Sequence, residues 1–272
     1  MADIQIGLPR LFEVGSLPFF ELLSRWLLDC DQNHPDCGRW HTSTPCEPSL
    51  PTRLVDVGRR EDGDPALVHL CATKSPSGGR QALDDDDVRY IALSHPWGDG
   101  LEHDHFCTTA QNVASRLRDG IAFASLPPTF QHAVQATRAL GIRYLWIDSL
   151  CIVQGKGGDF DVEAKCMEAV FSFAYCVIAA VRAQGSSSGF LWERRARAFV
   201  PLEMPPPRTR TVYVCEAIDD FQHHVIEGSL SSRGWVLQER ALARRTIYFA
   251  EAQTYWECGD GVRCETLTKM TK

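Results

Sequence analysis

The sequence predicts an α/β fold in which a parallel sheet is flanked by helices, and three observations carry that reading. From Tyr90 onward, short apolar runs alternate with helix-like stretches of roughly ten to fifteen residues. The apolar runs give way to loops rich in Gly and polar residues, as buried strands do at their ends. Composition is that of an ordinary globular protein: 44% hydrophobic and 23% charged over 272 residues, long enough to bury a core without covalent staples.

Residues 1–89 are rich in Pro, Gly, Cys and His and read as an N-terminal leader or cap, with helix-like stretches expected around Pro18–Cys30 and Pro65–Thr73. The acidic run Asp84–Asp87 closes this region as a solvated linker. Tyr90–Ser94 is a short apolar strand followed by Pro-Trp-Gly-Asp-Gly. Over Pro128–Leu140, Phe130, Ala133, Val134, Thr137 and Leu140 fall at helical spacing, with Pro128 at the start and Gly141 just past the end. Tyr144–Asp148 is the next strand and Gln154–Gly158 a loop. Glu163–Ala174 then reads as a helix through Met167, Val170 and Phe171, feeding the strand Cys176–Val181.

Beyond that strand, Gly185–Gly189 and Pro201–Arg210 break the pattern, and Thr211–Cys215 is an additional strand. Ser231–Leu242 is helix-like and precedes the strands Thr246–Phe249 and Thr254–Cys258. The expected division is a leader over 1–89 and one α/β domain over 90–272, with an insertion before its last helix. Right-handed crossovers collect ligands at the carboxyl ends of parallel strands, which directs attention to Ser94–Asp99, Asp148–Gln154 and Arg182–Ser188.

Several classes of function are disfavoured. The eleven cysteines are odd in number, contain no CxxC pair and amount to about 4% of the chain, which suits buried reduced thiols rather than a disulfide scaffold. The N-terminal residues lack a basic stretch followed by an apolar run, so no secretory signal is expected. No apolar run approaches the ~18–20 residues of a membrane helix. A net charge of −7 offers nucleic acid no electrostatic footing. A cytoplasmic protein is expected.

Four constellations could carry chemistry. Cys30-x3-His34-x2-Cys37, with Cys46 beyond, offers soft donors for a tetrahedral metal, but without tight CxxC hooks the simpler expectation is no metal and a packed cap of buried thiols. Asp148-Ser-Leu-Cys151 pairs an acid with a thiol, yet no partner His is marked, and Asp148 is expected to hydrogen-bond its own turn. The glycines of Gly98-Asp-Gly100 and Gly155-Lys-Gly-Gly158 match no phosphate-binding fingerprint and read as turns. In Arg233-Gly-Trp235-Val-Leu-Gln-Glu239-Arg240, Trp235 and Glu239 share a helix face four residues apart, which suits either a site for a flat cationic ring or a salt-bridged surface helix.

Tyr90-Ile-Ala-Leu-Ser-His-Pro-Trp-Gly98, Leu126-Pro-Pro-Thr-Phe130 through Leu140 to Gln154, and Arg233 through Arg240 to Tyr255-Trp-Glu-Cys258 together resemble the three blocks of the fungal heterokaryon incompatibility (HET) domain, in order. Trp26–Cys37 and Pro51–Gly58 resemble the segment that often precedes it. The chain departs from the family pattern at His95-Pro96, where Tyr-Cys is usual, and around Gly155 and Asp159-Phe160, so the resemblance does not carry over the shape of those two loops. HET domains are described as distant relatives of Toll-type (TIR) domains, which implies a TIR-like, flavodoxin-like sheet.

The resemblance also implies an activity. TIR enzymes hydrolyse NAD with a glutamate on the helix after the third strand, which makes Glu239 the candidate catalytic residue, with Glu163 second because the family has an acid at that place. Ser94, Trp97, Gly98, Asp148, Arg182, Arg233 and Trp235 are the candidate substrate-binding residues. NAD is then substrate rather than cofactor, and the implied protein is an NAD glycohydrolase of programmed cell death, a form of fungal innate immunity. It would be active as a homo-oligomer and answerable to an upstream sensor. The competing expectation is a non-enzymatic, self-associating adaptor in which Phe130, Leu140, Trp146 and Trp235 are core or interface anchors.

Overall fold

Four strands are buried along their whole length, as parallel strands covered on both faces must be: β3 (Tyr90–Ser94), β5 (Tyr144–Trp146), β6 (Cys176–Ala179) and β9 (Arg245–Phe249). They pair in parallel at the centre of a ten-stranded sheet, β5 with β3, β3 with β6 and β6 with β9. In chain order they therefore lie second, first, third, fourth. Our computed structural model describes residues 8–38, 50–58, 64–73, 83, 88–98, 106–205, 210–232 and 234–270.

The sheet is mixed rather than purely parallel, a correction to the sequence expectation. On one side β1 (Arg53–Asp56), β2 (Leu67–Ala72) and β4 (Ile121–Ala122) add antiparallel strands beyond β5. On the other, β10 (Thr254–Cys258), β11 (Gly261–Cys264) and β12 (Lys269–Met270) follow β9 through connections too short for a crossover, which forces antiparallel pairing. The helix expected around Pro65–Thr73 is instead β2. Val68 and Leu70 are buried on either side of an exposed His69, a period of two that a helix cannot produce. The segment Asp84–Asp87 lies outside the described residues.

The helices used below are α1 (Leu17–Asn33), α2 (Pro35–Gly38), α3 (Val113–Arg118), α4 (Pro128–Ala139), α5 (Asp148–Cys151), α6 (Phe160–Glu163), α7 (Met167–Phe173) and α8 (Gly234–Leu242). Ser16 caps α1 by accepting the Phe19 N–H, and Pro18 occupies its first turn. Its buried stripe of Phe19, Phe20, Leu23, Trp26, Leu27 and Cys30 follows helical spacing. The stripe packs on one face of β9 and β10, with Phe19 6.2 Å from Phe249 and Trp26 6.5 Å from Trp256 between ring centroids. The intervening residues Tyr248 and Tyr255 point the other way, into a second cluster with Val225, Leu230 and Val236 of α8. The leader thus supplies one cover of the sheet and two of its strands.

The insertion between β6 and α8 contains a separate antiparallel hairpin, β7 (Phe199–Glu203) with β8 (Thr211–Cys215). Among the described residues no helix is long and apolar enough to cross a membrane.

Candidate functional site

In an open α/β sheet the ligand crevice lies at the carboxyl ends of the strands, where the strand order reverses. Here that point is between β3 and β6, and the residues leaving those strands interlock. Ala180 donates its N–H to the Ser94 carbonyl at 2.9 Å. The loop after β6 is then held against the start of α4: Thr129 donates its hydroxyl to the Gly185 carbonyl at 2.7 Å, and its N–H reaches the Ser186 carbonyl at 2.9 Å. His132, one turn on, accepts the N–H groups of Phe190 and Leu191 at Nδ1 (2.8 and 2.9 Å). Burial lowers its pKa to about 4, so the ring stays neutral and keeps that acceptor.

Asp148 is the polar centre of the rim. Its carboxylate accepts the Trp97 indole N–H through Oδ2 and the Ser149 backbone N–H through Oδ1 at 2.7 Å, with His95 Nδ1 4.0 Å from Oδ1. The expected self-contained turn is present, and the residues after β3 are tied to it as well. His95 in turn meets Phe130 edge-on at 5.2 Å. The hydroxyls of Ser94 and Ser149 are buried and have no hydrogen-bond partner among the described residues. Gly98 follows with a positive φ of 79°, at the exposed end of this loop.

Other candidates are placed elsewhere. Arg182 uses its guanidinium to bind the carbonyls of Trp192 (2.9 Å) and Glu193 (3.2 Å) and the carboxylate of Glu251 (2.9 Å), so it fastens the insertion to the sheet. Arg233 lies outside the described residues. Trp235 belongs to α8, as does Glu239, which is half-buried with Oε2 removed from solvent. Glu163 ends α6 and is buried, and α7, which follows it after one tight turn, packs against α8.

Cys151 is buried and its thiol pKa is pushed up by that burial, which removes it as a nucleophile. The Gly155–Gly158 loop is a turn, closed by Asp159 accepting the Val153 N–H at 2.8 Å and by Arg53, which bonds Asp159. A Cβ on Gly158 would lie 2.1 Å from the Val153 carbonyl oxygen, which accounts for glycine there.

At the opposite end of the strands, beside the start of β9, the structure brings together Cys30, His34 and Cys37 with a fourth donor, Cys258 at the end of β10. Sequence reading missed Cys258, which stands in a Trp-Glu-Cys-Gly-Asp hairpin; a thiol beside a tight turn was the available signal. Sequence reading also missed His95 as a neighbour of Asp148 and His132 as the clamp on the insertion.

The sequence model described as "Heterokaryon incompatibility protein (HET)" matches residues 90–239, more than half of the chain. The chain is 32% identical over 97 residues to heterokaryon incompatibility protein 6, OR allele, of Neurospora crassa, a stretch covering 33% of this chain and 14% of that protein. No solved structure matches it.

Proposed function

The chain belongs to the heterokaryon incompatibility (HET) family, and from that membership we propose that it is a cell-death and incompatibility effector that hydrolyses NAD to nicotinamide and ADP-ribose. The observation that carries this reading is the position of Glu239. It lies on α8, the crossover between the third and fourth parallel strands of a sheet ordered second, first, third, fourth. Flavodoxin-like sheets begin with this order, and Toll-type enzymes, which the domain resembles, carry their catalytic glutamate on this helix.

The chemistry asks little of a general acid. Nicotinamide departs from an already cationic ring nitrogen, so the glycosidic C–N bond breaks with its electron pair going to that nitrogen. Water then adds to the ribosyl carbon and releases one proton. A fixed carboxylate such as Glu239 stabilises the oxocarbenium-like centre and holds the ribose hydroxyls, an electrostatic contribution rather than proton donation. The Trp97–Asp148 pair, at the ends of β3 and β5, is the polar group proposed to meet the rest of the dinucleotide.

Assembly into a homo-oligomer under an upstream sensor is part of the proposal, and one surface favours it. On the β7–β8 hairpin, Val200 faces Val214 and Leu202 faces Val212, and all four are 46–58% exposed, forming a continuous apolar face of the kind that marks an interaction surface.

The test is release of free nicotinamide from NAD by the purified chain over a range of protein concentrations. Glu239→Ala and Glu239→Gln are expected to lower turnover by about 100-fold or more. Undiminished turnover in both moves the assignment to Glu163, tested by Glu163→Gln. No turnover at any concentration leaves the self-associating adaptor as the function.

A further inference from the structure

We propose that Cys30, His34, Cys37 and Cys258 bind one zinc ion in a closed structural site that fastens the leader to the last strands of the sheet. The Sγ atoms and the imidazole nitrogen all lie within 4.8 Å of one another. A zinc tetrahedron with Zn–S near 2.3 Å has ligand–ligand edges of roughly 3.5–3.8 Å. The four donors therefore need inward shifts of about an ångström or less, within reach of side-chain rotation.

The backbone makes this convergence possible. Cys30 sits in the last turn of α1, and the helix ends at His34, whose φ and ψ of −117° and 80° turn the chain back. Cys37 follows in α2 and donates its N–H to the His34 carbonyl at 3.0 Å, a tight turn that keeps both donors beside Cys30. Cys258 arrives from the β10–β11 hairpin. At the adjoining Gly259 a Cβ would stand 3.1 Å from Cys37 Sγ, so a side chain there would crowd the sulfur.

Three features go beyond what packed thiols require. The Gly259 N–H points at Cys37 Sγ (3.3 Å) and the Asp260 N–H at Cys258 Sγ (3.4 Å), donors that favour thiolate over thiol. His34 directs Nδ1 to Cys258 Sγ at 3.5 Å while Nε2 lies 3.4 Å from Asp260 Oδ2, the carboxylate–histidine pairing that orients a metal-bound ring. Arg245, 1% exposed, pairs through Nη2 with Asp31 at 2.6 Å and extends the same nitrogen towards the Cys37 carbonyl at 3.5 Å; its Nε and Nη1 are buried without hydrogen-bond partners among the described residues. Beyond its ion pair, this guanidinium places positive charge beside the cluster, where three thiolates around Zn²⁺ carry net negative charge.

Three sulfurs and one imidazole are a zinc set, and with all four positions filled by protein the ion has a structural rather than a catalytic role. A disulfide would use only two of the three thiols and leave the oriented histidine without purpose.

The test uses the full chain purified in reducing, chelator-free buffer. Elemental analysis is expected to return about one zinc per chain, and cobalt substitution the visible bands of a tetrahedral site with thiolate charge transfer. Cys258→Ser is expected to abolish both, while Cys71→Ser, outside the cluster, retains them. Asp260→Asn, which keeps all four ligands, is expected to weaken zinc about 10- to 100-fold in competition with a chromogenic chelator. The proposal is overturned by a folded wild-type chain that carries negligible zinc and gives no tetrahedral cobalt spectrum, by iron or copper at unit stoichiometry, or by a disulfide among the three cysteines in reducing buffer.

Discussion

His34 Nδ1 and Cys258 Sγ are 224 positions apart in the chain and 3.5 Å apart in space. The contact joins the end of the leader helix to the tip of a hairpin near the other terminus. Two ion pairs reinforce it: Arg245 binds Asp31 at 2.6 Å, and Arg263 binds Asp29 at 2.5 Å. Each links a strand after α8 to an acid on α1, so α1 is held to β9 and β11.

Trp97 and Asp148 make the contact that closes the rim, and each substitution there should show in both stability and binding. Trp97→Phe and Asp148→Asn are each expected to cost about 1–2 kcal/mol in urea unfolding, with a coupling near 1 kcal/mol in the double variant. If NAD occupies this crevice, Trp97→Phe also raises KM with kcat little changed. Strict additivity of the two stability losses would refute the contact.

Arg194 and Glu265 form a buried ion pair, with side chains 8% and 0% exposed and 2.6 Å between Nη1 and Oε1. Glu265 also accepts the Thr254 N–H at 2.7 Å. Arg194→Met leaves that carboxylate without its cation and is expected to destabilise by about 3–5 kcal/mol. Adding Glu265→Gln should restore at least half of the loss, measured by chemical denaturation.

Stability should fall in mild acid because of His132. Its pKa is near 4 in the fold, depressed by burial, against an ordinary 6.5, so between those values the unfolded chain takes up the proton and the folded chain does not. The contribution is complete above about pH 6.5 and is lost as pH falls towards 4, by about 3 kcal/mol at most. His132→Gln is expected to flatten this part of the pH–stability curve. An unchanged slope would sink the assignment.

The hairpin face should govern association without governing the fold. Val212→Lys and Val214→Lys lie on exposed positions, so thermal stability is expected to change by less than about 0.5 kcal/mol. Sedimentation should shift towards monomer, and any NAD turnover should lose its steep dependence on protein concentration. Unaltered sedimentation in both variants would remove the hairpin from the assembly surface.

Local punctuation made some elements legible in the sequence and long-range pairing hid others. Helix α4 spans Pro128–Ala139 because its start and stop lie in the sequence itself. The stretch read as one helix from Glu163 is interrupted: Glu163 closes α6, Ala164–Cys166 form a tight turn, and α7 begins only at Met167, and no local residue signals the interruption. The β2 strand was read as helix because its alternation spans only a few residues and its partner β1 is needed to fix it. At the site, Asp148 and its turn were legible; the role of Arg182 as a fastener and the arrival of Cys258 were not. Both depend on segments that only the folded chain brings near.

The β9 and β10 faces that receive α1 bear on portability. The family-matched span, 90–239, ends before the fourth parallel strand begins at Arg245 and starts after the helix that shields Phe249 and Trp256. A chimaera transplanting only that span would carry the first two motif blocks and most of the Arg233–Arg240 block, and would omit one central strand, a lid and the anchor between them. The unit that recombination can move intact is therefore larger than the unit that sequence comparison recognises.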